Sequence, residues 1–390
     1  MVYRCRLLIL SWFTVVILLL QSGTLSAGTA PDSLQAEGAI LFELNSGTVL
    51  FEQNAGRRFY PASTTKIMTA LLPSGNEAAY TAAVYTAKMI EGNPDLPVDA
   101  ALERFIEMMN RRAQHLGATG TRFINPDGYH HPDHYTTARD LTLIVEAFMQ
   151  NQFLRQVVRA PFHDAIVWHN GEPVTRTWVN TNLLLHEQAP EYYPQATGLK
   201  TGYTTQAGGN LIAAAENETL SLIAVCLNSS AEARWNDAAS LLDYGLNNYL
   251  YYQVVSAGQT VCQTELTGQA SGEARVLPVL AASGYTSVFD LADLSSIERT
   301  FTWDSRLASG EAEDAVIKAP LKAGQVLGTV AFTLNGITFF ETELLAGQSV
   351  RAMFPWKYGI IILTAYFLLI TCRRIRRKRK RARSGRRFHR

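Results

Sequence analysis

The sequence predicts an α/β sandwich, an antiparallel sheet with helices packed against it, then a small all-β domain and a C-terminal transmembrane helix. Three observations lead there. Hairpin signals, helical periods, three successive strand-like runs and a closing amphipathic helix follow one another up to residue 250. From 253 to 350 the helical period fades into short β-type runs and Gly-containing turns. Residues 355–372 are almost wholly apolar and roughly long enough to cross a bilayer core.

Taken in order, the runs 39–44 and 48–52 flank Asn45-Ser46-Gly47, a hairpin signal. Pro61 stands where a helix would start, with Ser63 in its first turn. Helices are expected over 76–89 and 98–116, the second stopped by Gly117. Another runs over 137–149, capped by Thr136 or Thr137. The runs 165–168 and 174–178 flank His169-Asn170-Gly171, a second hairpin. Strands follow over 198–203, 210–215 and 220–227, then a helix over 231–249. Trp178, Trp235 and Trp303 read as core residues.

The ends of the chain are special. Arg4 and Arg6, an apolar run over 7–20 and small residues to Ala27 have the order of a secretory signal peptide, residues 1–27; an uncleaved signal anchor is the rival reading. Residues 28–250 and 253–350 are then the two folded domains. After the apolar span, residues 373–390 carry twelve Lys/Arg and no acid, which places them on the cytoplasmic side and the body outside. Such a run also resembles a nucleic-acid-binding or nuclear-localisation stretch, but the signal peptide and the span argue for a stop-transfer anchor touching anionic lipid through residues 355–390.

The formal net charge of +1 hides this asymmetry. Taking those twelve and Arg4 and Arg6 from 35 basic residues leaves 21 against 34 acids, so the outward body is near −13. That argues against nucleic acid or another polyanion as a partner. Of the four cysteines only Cys226 and Cys262 fall in the body, and whether they pair cannot be deduced from spacing. His130, His131 and His134, with Asp127, Asp133 and Asp140, lack the regular spacing of a metal site, so no metal or cofactor is expected; His134 reads as a brace of the fold.

Three short strings carry the chemistry. In Ser63-Thr64-Thr65-Lys66 the serine and lysine share one helix face. Serine needs a base to act as a nucleophile, and a lysine serves when burial and positive neighbours favour its neutral form. In Ser74-Gly75-Asn76 the hydroxyl can relay a proton and the amide can hold Lys66 or the substrate backbone. Lys200-Thr201-Gly202 lies in a strand, where Lys200 and Thr201 can hold a carboxylate and Gly202 admits the substrate backbone. The backbone N–H groups of Tyr203 and Ser63 can form an oxyanion hole.

On these strings and their surroundings the chain resembles the serine D-alanyl-D-alanine carboxypeptidases, low-molecular-weight penicillin-binding proteins of the peptidase S11 type. Residues 61–70, 72–79 and 198–204 are similar to that family's three motif segments. Asn125-Pro126-Asp127-Gly128, His134-Tyr135-Thr136-Thr137-Ala138 and Asn180-Thr181-Asn182-Leu183 also match its pattern. The resemblance implies a beta-lactamase/transpeptidase-like fold. It implies that Ser63 attacks the bond between the two D-alanines ending a peptidoglycan stem peptide, with Lys66 as proton acceptor and Ser74 as proton relay. Lys200, Thr201, Gly202, Asn76 and Tyr203 would bind substrate, and β-lactams would acylate Ser63.

One departure stands out. Seven residues, Ile67 to Pro73, separate Lys66 from Ser74, where the family has several dozen. A helix through residue 72 would carry the chain about 14 Å from Ser63 at roughly 1.5 Å per residue. Either that helix stops early and folds back, or Ser74 sits away from the site and the chain is an impaired, wall-binding homologue. A β-lactamase is the remaining alternative, but it lacks an identifiable glutamate loop for deacylation and leaves the C-terminal domain and anchor unexplained.

Overall fold

A computed structural model of the chain describes residues 30–31, 33–71, 79–310, 314–353 and 356–385. The expected signal peptide lies outside the described residues. These divide into two compact units, residues 1–252 with 287–294, and residues 253–286 with 295–390.

The first unit is built on a five-stranded antiparallel sheet in the order β2-β1-β7-β6-β5. Strand β1 is Gly38–Glu43, β2 Val49–Gln53, β5 Ala196–Thr204, β6 Gly208–Glu216 and β7 Ser221–Ser229. β1 is buried along its whole length because helices cover both faces of the sheet. Its side chains alternate between them, as the period of 2 requires. Ile40 and Phe42 enter a core with Phe105, Met109, Leu141 and Ile144. Ala39 and Leu41 enter the other, with Trp235, Leu241 and Leu242. The first core is covered by α1 (Lys66–Leu71), α2 (Ala79–Ile90), α3 (Val98–His115) and α4 (Ala138–Met149). The second is covered by α6 (Ala233–Asn248). There Gly245 lets the helix lie against the sheet, for a Cβ would fall 2.5 Å from Leu222 Cδ1.

Local signals explain the helix ends. Thr137 caps α4, its hydroxyl accepting from the Asp140 N–H at 2.9 Å. Gly117, at φ +84°, closes α3, with Gly117 N–H bonded to Gln114 and Ala118 N–H to Ala113. A short helix, α5 (Gln152–Arg159), was not expected; Asn151 caps it through the N–H groups of Phe153 and Leu154. The second hairpin is longer than its sequence signal, with β3 at Phe162–His169 and β4 at Glu172–Val179. Nearly all of it is exposed, and Trp178, expected in the core, is 49 % exposed. Trp235 is buried as expected.

The second unit holds a seven-stranded sheet around Leu277, Val279, Ile317, Leu327, Val330 and Leu344. Its hairpin between β8 (Val326–Leu334) and β9 (Ile337–Ala346) turns at Asn335-Gly336, both with positive φ. The C-terminal helix, α7 (Trp356–Gly385), is long enough and, over Tyr358–Lys378, apolar enough to cross a membrane, and it continues unbroken into the basic residues. Cys226 is a buried thiol in β7.

Candidate active site

The site begins at a strained turn. Pro61 leads into a 3-10 turn over Ala62–Thr65, which passes directly into α1. Ala62 has φ +48°, a left-handed conformation that costs a non-glycine residue of order 1 kcal/mol and persists only where its surroundings impose it. Several contacts do so. Asn210 of β6 donates its side-chain amide to the carbonyls of Tyr60 and Pro61, at 2.8 and 3.0 Å. The carbonyl of Ala62 packs against Gly128, where a Cβ would lie 1.8 Å from it. Thr64 donates its hydroxyl back to Pro61 at 2.7 Å.

Ser63 and Lys66 meet on one face, with Lys66 Nζ donating to Ser63 Oγ at 3.0 Å. Nζ also donates to the backbone carbonyl of Asp127 at 2.5 Å, and Thr69 donates to the carbonyl of Pro126. The turn Asn125–Gly128 therefore holds the lysine. It is itself held by the Asn125 side chain, which accepts from Gly128 N–H and donates to Tyr129 O, each at 2.8 Å. Burial lowers the Lys66 pKa from its ordinary value, partly opposed by the Asp127 carboxylate. That favours the free amine a base must be.

His134 braces the same turn. Its Nε2 lies 3.0 Å from Thr65 Oγ1, and its Nδ1 accepts a long bond, 3.5 Å, from Ile124 N–H. Burial pushes its pKa down to about 4, so it is neutral and Nε2–H donates to Thr65. The histidine expected as a brace is one.

The third string lies on β5, the edge of the sheet, beside the nucleophile turn. A Cβ on Gly202 would come within 3.1 Å of Pro61 O and 3.2 Å of Ser63 N, so glycine lets the strand lie against the nucleophile turn without displacing it by a few tenths of an ångström. Thr201 is buried, its hydroxyl 2.7 Å from that of Thr181. Lys200 Nζ donates to Thr201 O at 2.9 Å. Its pKa is lowered to about 8, by burial first and then by the charges of Lys66 and Arg234. Arg234 donates Nη1 to Gly202 O at 3.1 Å, and its buried Nε has no hydrogen-bond partner among the described residues. Two clustered cations with an unsatisfied donor are the chemistry of an anion site.

Ser63, Lys66, Lys200, Thr201, Gly202 and the backbone of Tyr203 are thus gathered together, while Ser74 and Asn76 lie outside the described residues. Arg234 was missed by sequence reasoning, because no fixed spacing ties it to the three strings. One signal existed. It is the second residue of α6, where a cation opposes the helix dipole and asks for another reason to be there. Asp127, Asn210 and Thr181 contribute through backbone contacts or hydroxyl pairing.

A sheet sandwiched by helices, with a Ser–Lys turn against its edge strand, defines the beta-lactamase/transpeptidase-like class of fold. The sequence profile of the D-alanyl-D-alanine carboxypeptidases (peptidase S11) matches residues 25–75 and 70–231, more than half of the chain, so the chain belongs to that family. It is similar to the D-alanyl-D-alanine carboxypeptidase DacF of Bacillus subtilis, at 23 % identity over 81 % of this chain and 86 % of that protein. A D-alanyl-D-alanine carboxypeptidase of a Streptomyces species is 36 % identical over 45 % of this chain and 57 % of its own length. Among solved structures, penicillin binding protein 5 from Haemophilus influenzae aligns with TM-score 0.54 and 23 % identity, over 83 % of this chain and all of that one, a likeness of fold.

Proposed function

We propose that the chain is a membrane-anchored serine carboxypeptidase that removes the terminal D-alanine from peptidoglycan stem peptides through an acyl-enzyme on Ser63. The observation that supports this most is the Ser63–Lys66 pair at 3.0 Å, set beside the cationic end of β5. Lys200 and Arg234 hold the terminal carboxylate, with the Thr201 hydroxyl beside them. Ser63 Oγ attacks the penultimate carbonyl carbon and gives its proton to Lys66. The N–H groups of Ser63 and Tyr203 receive the oxyanion. The C–N bond breaks, the leaving D-alanine amine takes the proton back, and water, deprotonated by Lys66, frees Ser63. β-Lactams acylate the same oxygen. The apolar part of α7 anchors the chain, with the catalytic unit outside and the basic residues on the cytoplasmic side against anionic lipid.

The test is release of D-alanine from a pentapeptide ending in D-Ala-D-Ala, measured against pH. Lys66 must be neutral, so kcat/KM rises with pH. Lys200 must be charged, so it falls again above about 8. Lys200→Arg, whose cation does not titrate, abolishes the falling limb. A profile that stays flat to about pH 10 in the parent protein counts against Lys200 as the carboxylate ligand.

A second reading, an impaired wall-binding homologue, has its own support. The family profile matches in two pieces that overlap at residues 70–75, at the second string. α1 also runs on to Leu71, which leaves two residues, Leu72 and Pro73, before Ser74. Acylation of the parent protein by penicillin separates the two, and Ser74→Ala then tests the relay. If Ser74 relays the proton, acylation by penicillin drops about 100-fold or more. An unchanged rate removes Ser74 from the mechanism.

A further inference from the structure

An open groove of about 470 Å³ runs between α5 and the β3–β4 hairpin. Phe153, Gln156 and Val157 line it from the helix, and His163, Ala165 and Trp178 from the hairpin. His163 and Trp178 are directly paired across the strands, with ring centroids 6.4 Å apart and a 33° tilt. Phe153 and Trp178 are each about half exposed, at 48 and 49 %. Aromatic side chains this exposed, gathered on two sides of a concavity, are a binding surface rather than core.

Asn180 fixes the groove at its inner end. Its side-chain amide donates to Val158 O and Ala160 O at 3.2 and 3.1 Å, and its carbonyl accepts from His186 at 2.6 Å. The next residue is Thr181, whose hydroxyl meets Thr201 of the proposed carboxylate site. The groove's Asn180 is therefore the sequence neighbour of a residue that touches the catalytic strand.

The lining decides the occupant. Among the described residues it contains no Asp, Glu, Lys or Arg. A stem peptide and a phospholipid headgroup are charged and would find no charged partner among these residues. An N-acetylated hexosamine chain is neutral, presents flat C–H faces that stack on aromatic rings, and carries amides and hydroxyls for Gln156 and His163. We infer that this groove binds a glycan strand of peptidoglycan, lying beside the stem peptide under hydrolysis. The inference rests on the proposed substrate for its biological sense, but its test does not depend on turnover.

The full-length chain in detergent is titrated with neutral N-acetylglucosamine oligosaccharides, the trisaccharide and the hexasaccharide. Saturable binding is expected, weakened about tenfold in Trp178→Ala and in Phe153→Ala. Both positions are at the surface, so unchanged melting temperatures are expected and would exclude misfolding as the cause. Absence of binding, or binding unaffected by both substitutions, overturns the inference; so does self-association or vesicle binding lost in Trp178→Ala without any sugar binding. If the carboxypeptidase reading fails, D-alanine release is absent while sugar binding persists. If only the groove fails, D-alanine release is present and sugar binding is not.

Discussion

Ser63→Ala is expected to abolish covalent labelling by a fluorescent penicillin and to reduce D-alanine release to background, with the fold unchanged. The reason is that one oxygen carries the covalent step. In the native site Ser63 Oγ accepts from Lys66 at 3.0 Å, and the lysine keeps its second partner, the Asp127 carbonyl, when that oxygen is removed. The turn is held by Asn210, Thr64 and the close contact with Gly128, none of which uses the serine side chain. The loss is thus chemical, and removal of a nucleophile from such a unit costs of order 10⁶ in rate. Lys66→Ala should approach the same floor, because residues acting as one unit are not additive. The decisive measurement is gel fluorescence after acylation, paired with a melting curve. Labelling that survives in Ser63→Ala would move the nucleophile elsewhere and remove the basis of the proposed function. Labelling absent from the parent protein as well would favour the impaired homologue.

Much of this site could be read from the sequence because its chemistry sits in contiguous strings. A serine and a lysine three apart must share a face once the segment is helical. A Lys-Thr-Gly run ending in a small residue invites close approach at a strand edge. The strands are also legible: the first two are displaced by one residue from their sequence signals, and the others run beyond theirs at one or both ends. The hairpin of residues 162–179 extends several residues beyond its alternating core, since backbone pairing continues where side chains are solvated. Other parts were hidden for physical reasons. Asn125–Gly128 touches the nucleophile turn through backbone carbonyls, which no residue type announces. Arg234 reaches Gly202 across 32 residues of chain, by the return of α6 to the sheet edge. Residue type alone predicts a core position for Trp178, and the exposed β3–β4 hairpin leaves it half exposed.

Gly128→Ala is expected to be the most damaging substitution outside the Ser–Lys pair, and Gly171→Ala is its control. The two glycines have nearly the same backbone, φ +84° and +83°. An alanine at either pays the cost of a left-handed conformation, about 1 kcal/mol. Their surroundings differ. Nothing lies within 4 Å of a Cβ on Gly171, at the tip of the β3–β4 hairpin. A Cβ on Gly128 would stand 1.8 Å from Ala62 O, 2.3 Å from Ala62 C and 2.9 Å from Ser63 N. Those are backbone atoms of a turn already strained at Ala62, so they cannot swing aside as a side chain would. The Asn125–Gly128 turn must move instead, taking the Asp127 carbonyl away from Lys66 Nζ. Gly171→Ala should therefore lose only about 1 kcal/mol of stability and acylate normally. Gly128→Ala should lose more than about 3 kcal/mol, the range reserved for steric and strain defects. Its folded fraction should acylate about 100-fold more slowly, because a displacement near 1 Å in a catalytic constellation costs that much. Equal melting temperatures and equal acylation rates for the two variants would show that the turn does not set the position of Lys66. A Gly128→Ala protein as stable as Gly171→Ala, but slow to acylate, would place the whole effect on that lysine.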